Sequence, residues 1–412
     1  MLENLATRLD GPASAPIAVA LSGGGDSLAL LILVLEFAGQ AGRSVTALTM
    51  DHQLNPASSD WTLRARDMAQ GLGARWQGLR WEGEKPAHGL PAAARAARHA
   101  LLAEATRNLG ASVLLMGHTA DDLAEAALMR ASDTPVLAAP RDWSPSPAWP
   151  QGREVFLFRP LLSARRQDLR VALVALGQTW IDDPANDDPR FARSRARAKL
   201  GGGLTGETGA ALPDIAPLAR RVEISHTGEA FLPWDLLRDT LARPADAKRL
   251  LAAALLCVSG GATPPRGPRL NRLVERLAAG EAFTATLSGT KVVATESGAL
   301  LVREAGDRRA AIRNDPGVFD GRFEVLRGQI DGPLAGRAAR LSGADRATLQ
   351  RLPAAVRPSL PVMIDSDGAP HLPRLQGHEA GDANVRCLVR ARFAAACGLV
   401  NRESEIASGT VT

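Results

Sequence analysis

Ser22-Gly23-Gly24-Gly25-Asp26-Ser27 stands between a β-like apolar run, Ile17–Leu21, and a helical stretch, Ser27–Phe37. Glycines without a Cβ let a backbone turn sharply and approach an anion closely. The helix that follows offers free N–H groups and the positive end of its dipole. Ser22 and Ser27 add hydroxyl donors. The segment therefore suits a phosphate or pyrophosphate. The structural alternative is an ordinary glycine turn capped by Asp26 or Ser27. The stretch lacks the glycine-lysine-serine/threonine ending of a Walker A loop, and its glycines are not spaced as in a dinucleotide fingerprint.

Around this stretch, short apolar runs alternate with helical patterns. Val45–Met50 reads as a strand, Ser59–Leu72 as a helix, Ala92–Leu109 as a longer helix, Val113–Met116 as a strand and Asp121–Arg130 as a helix. Such alternation predicts an α/β fold, a parallel sheet with helices on both faces, with ligands at the carboxyl ends of its strands. Asp133–Gly152, rich in proline and serine, reads as a long irregular loop of the same domain. Gly201–Ala210 (GGGLTGETGA) is linker-like. Ala247–Val258 and Arg269–Ala279 look helical, and Phe283–Val302 alternates as strands do. A second break falls near Arg308–Gly317, and the remainder is turn-rich and mixed. The expected domains are 1–205, 214–312 and 318–412: the sheet domain, a helical/mixed domain and a mixed C-terminal region.

The chain has 412 residues, 45% hydrophobic and 23% charged, which fits folded domains and argues against global disorder. The longest apolar stretch near the start, Leu28–Ala38, carries Glu36 and falls short of the roughly 18–20 residues a membrane helix needs. No membrane association and a cytoplasmic location are expected. The net charge of +5 is compatible with nucleic-acid binding. Cys257, Cys387 and Cys397 are far apart and form no paired motif, so they read as small buried hydrophobes.

Asp121 and Asp122 open a helix directly after a strand. With Asp26 they are candidates to hold Mg²⁺ beside nucleotide phosphates; an acidic helix cap is the alternative for one of them. Asp121 and Glu125 share a helix face that could take an ammonium group, or form a solvated acidic edge. His52 and His118 both follow strands, where either could polarise or deprotonate a reacting group. Arg190, Arg193, Arg195, Arg197 and Lys199 form a basic run around Phe191, suited to nucleic-acid phosphates or to solvent. Arg95 and Arg98 share one helix face. Arg266–Arg276 and Arg303–Arg313 are further basic segments.

SGGGDS resembles the SGGxDS signature of the pyrophosphate-loop ATP pyrophosphatases. Four more segments resemble the tRNA(Ile)-lysidine synthetases within that superfamily. Met50-Asp51-His52-Gln53-Leu54 resembles VDHxLR, with Asn55 in place of arginine. Ala92–Leu102 resembles ARxxRYxxL, keeping Arg95 and Arg98 with His99 for the aromatic. Gly117–Glu125 resembles GHHxDDQxET, with Thr119, Leu123 and Ala126 departing. Trp180–Arg197 resembles WxxDxSNxxxxxxRNxxR; Asp183, Asn186, Arg193 and Arg197 match, while Ala185 and Ser194 depart. These motifs span roughly half the chain.

The resemblance implies an adenine nucleotide α-hydrolase-like fold and a ligase using ATP and Mg²⁺ to attach free L-lysine to the wobble cytidine of tRNA(Ile) with a CAU anticodon. It implies phosphate or nucleotide binding by Ser22, Gly23, Gly24, Gly25, Asp26, Ser27, Asp51 and His52. It implies metal at Asp26, Asp121 and Asp122, and catalysis by Asp26, Arg95, His118, Asp121, Asp122 and Glu125. The tRNA contacts it implies are Arg98, Arg190, Arg193, Arg195, Arg197 and Lys199. Oligomeric state stays open, a dimer being one alternative. A tRNA thiolase is a second reading, against which stands the lack of any cysteine before Cys257. A nucleotide- or tRNA-binding protein without turnover is a third.

Overall fold

The computed structural model describes residues 1–131, 140–182, 192–200, 214–306, 317–375 and 383–407. Two compact units emerge: residues 1–212 with 401–410, and residues 213–400 with the last two.

In the first unit the chain runs through α1 (Leu2–Arg8), β1 (Ile17–Ala20), α2 (Gly25–Ala41), β2 (Val45–Asp51), α3 (Ser58–Gly71), β3 (Arg75–Arg80), α4 (Leu90–Asn108), β4 (Val113–Met116), α5 (Ala120–Ala131), β5 (Trp143–Pro145), β6 (Phe156–Phe158), α6 (Arg166–Ala175) and α7 (Ala192–Leu200). The six-stranded sheet has the order β3-β2-β1-β4-β6-β5. All pairs are parallel except β5 with β6. The expected α/β fold with a parallel N-terminal sheet is present.

Side chains alternate across a strand, and here both faces are covered. Ile17 and Val19 enter one apolar cluster with Leu30, Leu31, Val34, Leu115 and Phe158. Ala18 enters the other with Leu48, Leu102, Leu114 and Leu157. That is why β1 and β4 read as continuous apolar runs. Burying each such leucine stabilises the fold by roughly 1.5–3 kcal/mol.

The chain builds outward from β1 through β2 to β3, then crosses back to β4. The ends of β1 and β4 are therefore a topological switch point, where loops diverge and leave a crevice. Helix α2 starts two residues earlier than its apolar pattern implies and runs on to Gly42, whose left-handed φ of 66° ends it.

Two sequence expectations need correction. The proline-rich 133–152 stretch is not wholly irregular: Trp143–Pro145 forms an edge strand, where a proline removes no needed ladder bond. β3 (RWQGLR) was not expected as a strand; its polar, largely exposed residues at the sheet edge lack the apolar run that marks β1. The linker at 201–210 and residues 308–316 lie outside the described residues.

Residues 401–407 close onto the first unit. Arg43 Nη1 and Nη2 donate to the two Glu403 carboxylate oxygens at 2.7 Å each, and both side chains are almost fully buried. Ser404 and Arg402 meet Asp10 nearby.

The second unit contains a five-stranded antiparallel sheet. Its meander Phe283–Leu287, Thr290–Thr295 and Gly298–Arg303 covers the stretch read as strands and extends one residue beyond it. Helices Pro244–Val258, Pro268–Ala278 and Val389–Cys397 contribute to its core. Two three-stranded sheets lie in the mixed C-terminal stretch. Arg303, expected as a surface cation, is instead buried: Nε and Nη2 donate to Asp320 at 2.9 and 3.1 Å, and Arg322 donates to the same carboxylate. A buried charge needs such a partner, which removes Arg303 from the basic surface. Among the described residues no helix is long and apolar enough to cross a membrane.

Candidate active site

The glycine loop closes on itself before it meets anything else. Ser22 Oγ lies 3.0 Å from Ser27 Oγ, and Ser27 Oγ donates to Gly24 O at 2.9 Å. Ser22 N–H donates to Ser27 Oγ at 3.2 Å. Gly23 holds a φ of +85°, and a Cβ there would stand 2.5 Å from Ile181 Cδ1. Ile181 N–H in turn donates to Gly23 O at 2.9 Å. The Trp180 ring lies against Gly25. Segment 180–181 thus backs the loop, which explains why a tryptophan motif far along the chain belongs to the same site.

Gly117 makes the second close approach. A Cβ on it would lie 2.9 Å from Asp26 O and 3.1 Å from Ser27 Cα. Only a glycine lets the chain leaving β4 pack this tightly against the first turn of α2. Asp26 and the acidic start of α5 are thereby brought to one place.

Asp122 Oδ2 accepts from Thr119 N–H at 2.7 Å and from Thr119 Oγ1 at 3.1 Å, as in a capping box, so this oxygen secures the helix start. Its Oδ1 accepts from Arg166 Nη2 at 3.3 Å. Arg166 also donates from Nε to Asp26 Oδ2 at 2.9 Å and from Nη1 to Glu125 Oε1 at 3.2 Å. Its main-chain N–H donates to Asp121 Oδ2 at 2.8 Å. Glu125 Oε1 accepts in addition from Arg197 Nε at 2.9 Å. All four acidic candidates therefore meet around one residue. Burial raises the Asp26 carboxyl above its ordinary value, against the lowering pull of Arg166. Burial pulls Arg166 down, but Asp26, Asp122 and Glu125 outweigh it and hold the guanidinium charged.

A second, basic group gathers on and around α4. His118 Nδ1 accepts from Arg159 Nε at 3.2 Å, which places the ring proton on Nε2. Arg159 also donates to Arg141 O and Ser144 Oγ. Burial, with Arg95 and Arg141 beside it, lowers Arg159 to about 10. His99 is 4% exposed, and neither ring nitrogen has a hydrogen-bond partner. Burial, then Arg98, Arg95 and Arg159, lowers it to about 3.

Asp51 is buried, and its Oδ1 accepts from Gln53 N–H at 2.8 Å, holding a tight turn at the end of β2. His52 stacks edge-on to Trp81 at 6.4 Å, and burial followed by Arg98 lowers its pKa.

The structure brings Asp26, Asp121, Asp122, Glu125 and Arg197 together, and separately Arg95, Arg98 and His118. Arg195 and Lys199 lie exposed on α7. Arg190 and the side chain of Arg193, like Asp183 and Asn186, lie outside the described residues. Arg166, Arg159 and His99 were missed as site residues. Arg166 carries no local signal beyond an arginine pair before a helix.

Asp26, Asp121 and Asp122 are hard oxygen donors of the kind Mg²⁺ takes. Among the described residues no three His, Cys, Asp or Glu side chains form a metal-holding group on their own. They nonetheless fit an ion that keeps nucleotide phosphates and water as most of its ligands. The three cysteines lie in the second unit, and burial pushes the Cys257 thiol up to about 11.

A family profile described as the PP-loop domain matches residues 2–203. The chain is similar to a tRNA(Ile)-lysidine synthase of Caulobacter vibrioides, with 49% identity over 96% of this chain and 97% of the relative. It is 38% identical to one from Hyphomonas neptunium, over 71% of this chain and 82% of that protein. A third, from Mesorhizobium japonicum, is 36% identical over 85% of this chain and 83% of its own.

Proposed function

The chain belongs to the tRNA(Ile)-lysidine synthase family, and from that premise we propose that it ligates free L-lysine to C2 of the wobble cytidine of tRNA(Ile) bearing a CAU anticodon. The observation that carries the reading is the meeting of Asp26, from the glycine loop, with Asp121, Asp122 and Glu125 around Arg166 at the switch point of the sheet.

In this reading the loop N–H groups and hydroxyls of Ser22, Gly23, Gly24, Gly25 and Ser27 hold the β,γ-phosphates of ATP. Asp51 and His52, at the end of β2, border the nucleotide. Asp26, Asp121 and Asp122 would hold Mg²⁺, which when bound offsets phosphate charge. The cytidine O2 attacks the α-phosphate and pyrophosphate leaves, giving an adenylated base. Arg95 and the Nε2–H of His118 stabilise charge on the reacting base. The ε-amine of lysine, oriented by Asp121 and Glu125, then attacks C2. AMP leaves with the former O2, and the amine proton passes to a carboxylate or to water.

An anticodon loop presents its bases unstacked, so the target cytidine can enter such a pocket. Arg98, Arg190, Arg193, Arg195, Arg197 and Lys199 contact its phosphates. Residues 1–205 form the catalytic domain in this scheme, 214–312 bind the tRNA body, and the reaction takes place in the cytoplasm.

The test is incorporation of labelled lysine into an unmodified tRNA(Ile) transcript with ATP and Mg²⁺, with elongator methionine tRNA as control. Label in the first and not in the second is expected. tRNA-dependent AMP release without label would keep the adenylation and replace lysine as nucleophile.

A further inference from the structure

Arg166 and Arg43 offer two kinds of buried guanidinium. Arg43 grips one carboxylate with two bonds of 2.7 Å, the short paired geometry of a locked ion pair. Arg166 divides its side-chain bonds among Asp26, Glu125 and Asp122 at 2.9, 3.2 and 3.3 Å, pairs with none of them doubly, and stays partly exposed at 15%. A guanidinium spread this way neutralises a group of carboxylates without saturating any one of them.

The oxygens it occupies are among those an incoming cation would use. Asp122 Oδ2 is committed to Thr119 and Asp121 Oδ2 to the Arg166 main chain. Of the side-chain oxygens that remain, Asp26 Oδ2, Glu125 Oε1 and Asp122 Oδ1 accept from the Arg166 guanidinium, and Glu125 Oε1 accepts from Arg197 as well.

We propose that Arg166 is the resident counter-cation of this site. As a positioning residue it holds the carboxylates aimed at one point, and it yields contacts to the cation that enters, Mg²⁺ or the ε-ammonium of lysine. This rests on the reading that the acidic group serves those two cations. Competition of this kind weakens the apparent affinity of the entering cation by the fraction of time the oxygens are free. It also offsets the repulsion among the three carboxylates its guanidinium bonds before a cation enters.

The experiment is calorimetric titration of the full chain with MgCl₂ and, separately, with L-lysine, for wild type, Arg166→Gln and Arg166→Lys. Arg166→Gln is expected to bind at least one of the two about tenfold tighter, since the competitor is gone. In lysine incorporation its kcat is expected to fall at least tenfold while the KM for the tighter-binding cation falls, because the carboxylates are no longer aimed. Arg166→Lys, a point charge reaching fewer oxygens, is expected to lie between the two in both measurements. Unchanged or weaker binding of both cations by Arg166→Gln overturns the proposal and makes Arg166 a permanent structural partner. Should Arg166→Gln not fold, unchanged or weaker binding by Arg166→Lys overturns it equally. If wild type attaches no lysine to tRNA, the functional reading fails, while the Mg²⁺ titration still decides the role of Arg166.

Discussion

At the acidic pole of the first unit, Asp26, Asp122 and Glu125 share the guanidinium of Arg166. At the basic pole, His99 lies buried near Arg95, Arg98 and Arg159 with both ring nitrogens unbonded. Each pole concentrates like charge in a partly dry environment, and each avoids the penalty differently. The acidic pole imports an opposite charge from a distant helix. The basic pole keeps its histidine neutral, since protonating it would bury one more cation among arginines. A site that must receive cations and anions in turn can use both devices. The acidic one leaves a replaceable partner in place, and the basic one leaves unbonded nitrogens facing its neighbours.

The largest expected effect breaks the comparison at its acidic end. Asp26→Asn keeps the side-chain shape and removes the charge that faces Arg166 and, in the proposed mechanism, the ATP phosphates. Lysine incorporation in single turnover is expected to fall at least about a hundredfold, roughly 3 kcal/mol of transition-state stabilisation. A rate within a few-fold of wild type would mean that the adenylation chemistry does not run through Asp26.

The basic end is tested by pH. His99 has a folded pKa of about 3 against an ordinary 6.5. As pH falls the unfolded chain therefore takes the proton first. The stability is fully present above about 6.5 and is lost progressively down to about 3. Between pH 7.5 and 5, wild type should lose about 2 kcal/mol more than His99→Phe in urea unfolding, an aromatic of similar size that cannot titrate. Parallel profiles would show that His99 is not held neutral by its surroundings.

These two poles also show what a sequence carries. The glycine loop, β1, β4 and the acidic start of α5 were legible because each is local: a run, a turn and a helix start within a few residues. The convergence of Asp26 on Asp121, Asp122 and Glu125 followed from strand–helix alternation and the rule of carboxyl ends. Arg166 was not legible, since its meaning lies in contacts with Asp26, Asp122 and Glu125, far back in the chain. His99 passed as a substituted aromatic because burial among arginines is a tertiary fact. The edge strands β3 and β5 were hidden by polar and proline residues that only an edge tolerates.

Helix α7 sharpens the contrast, because its cations differ in exposure. Arg197 turns to Glu125, whereas Arg195 and Lys199 are exposed. The double change Arg195→Glu with Lys199→Glu is expected to weaken tRNA binding about tenfold. The salt dependence should become shallower by about 1.4 in log–log slope, for two lost phosphate contacts on single-stranded nucleic acid. Lysine affinity should not move. Arg197→Gln, by contrast, should move lysine affinity. An unchanged salt slope in the double variant would assign the exposed face of α7 to solvent.

The smallest effect separates aim from charge at the acidic pole. Thr119 gives Asp122 Oδ2 two bonds, the main-chain N–H at 2.7 Å and the hydroxyl at 3.1 Å. Thr119→Ala removes the longer one and leaves the shorter. The helix start should survive with a loss of about 1 kcal/mol in unfolding free energy, and Thr119→Ser should restore most of it. Because Oδ1 of Asp122 still faces Arg166, lysine incorporation should fall no more than about threefold. If Thr119→Ala instead cost as much activity as Asp26→Asn, the carboxylates would depend on Thr119 for their aim. Arg166 would then not be the residue that organises them.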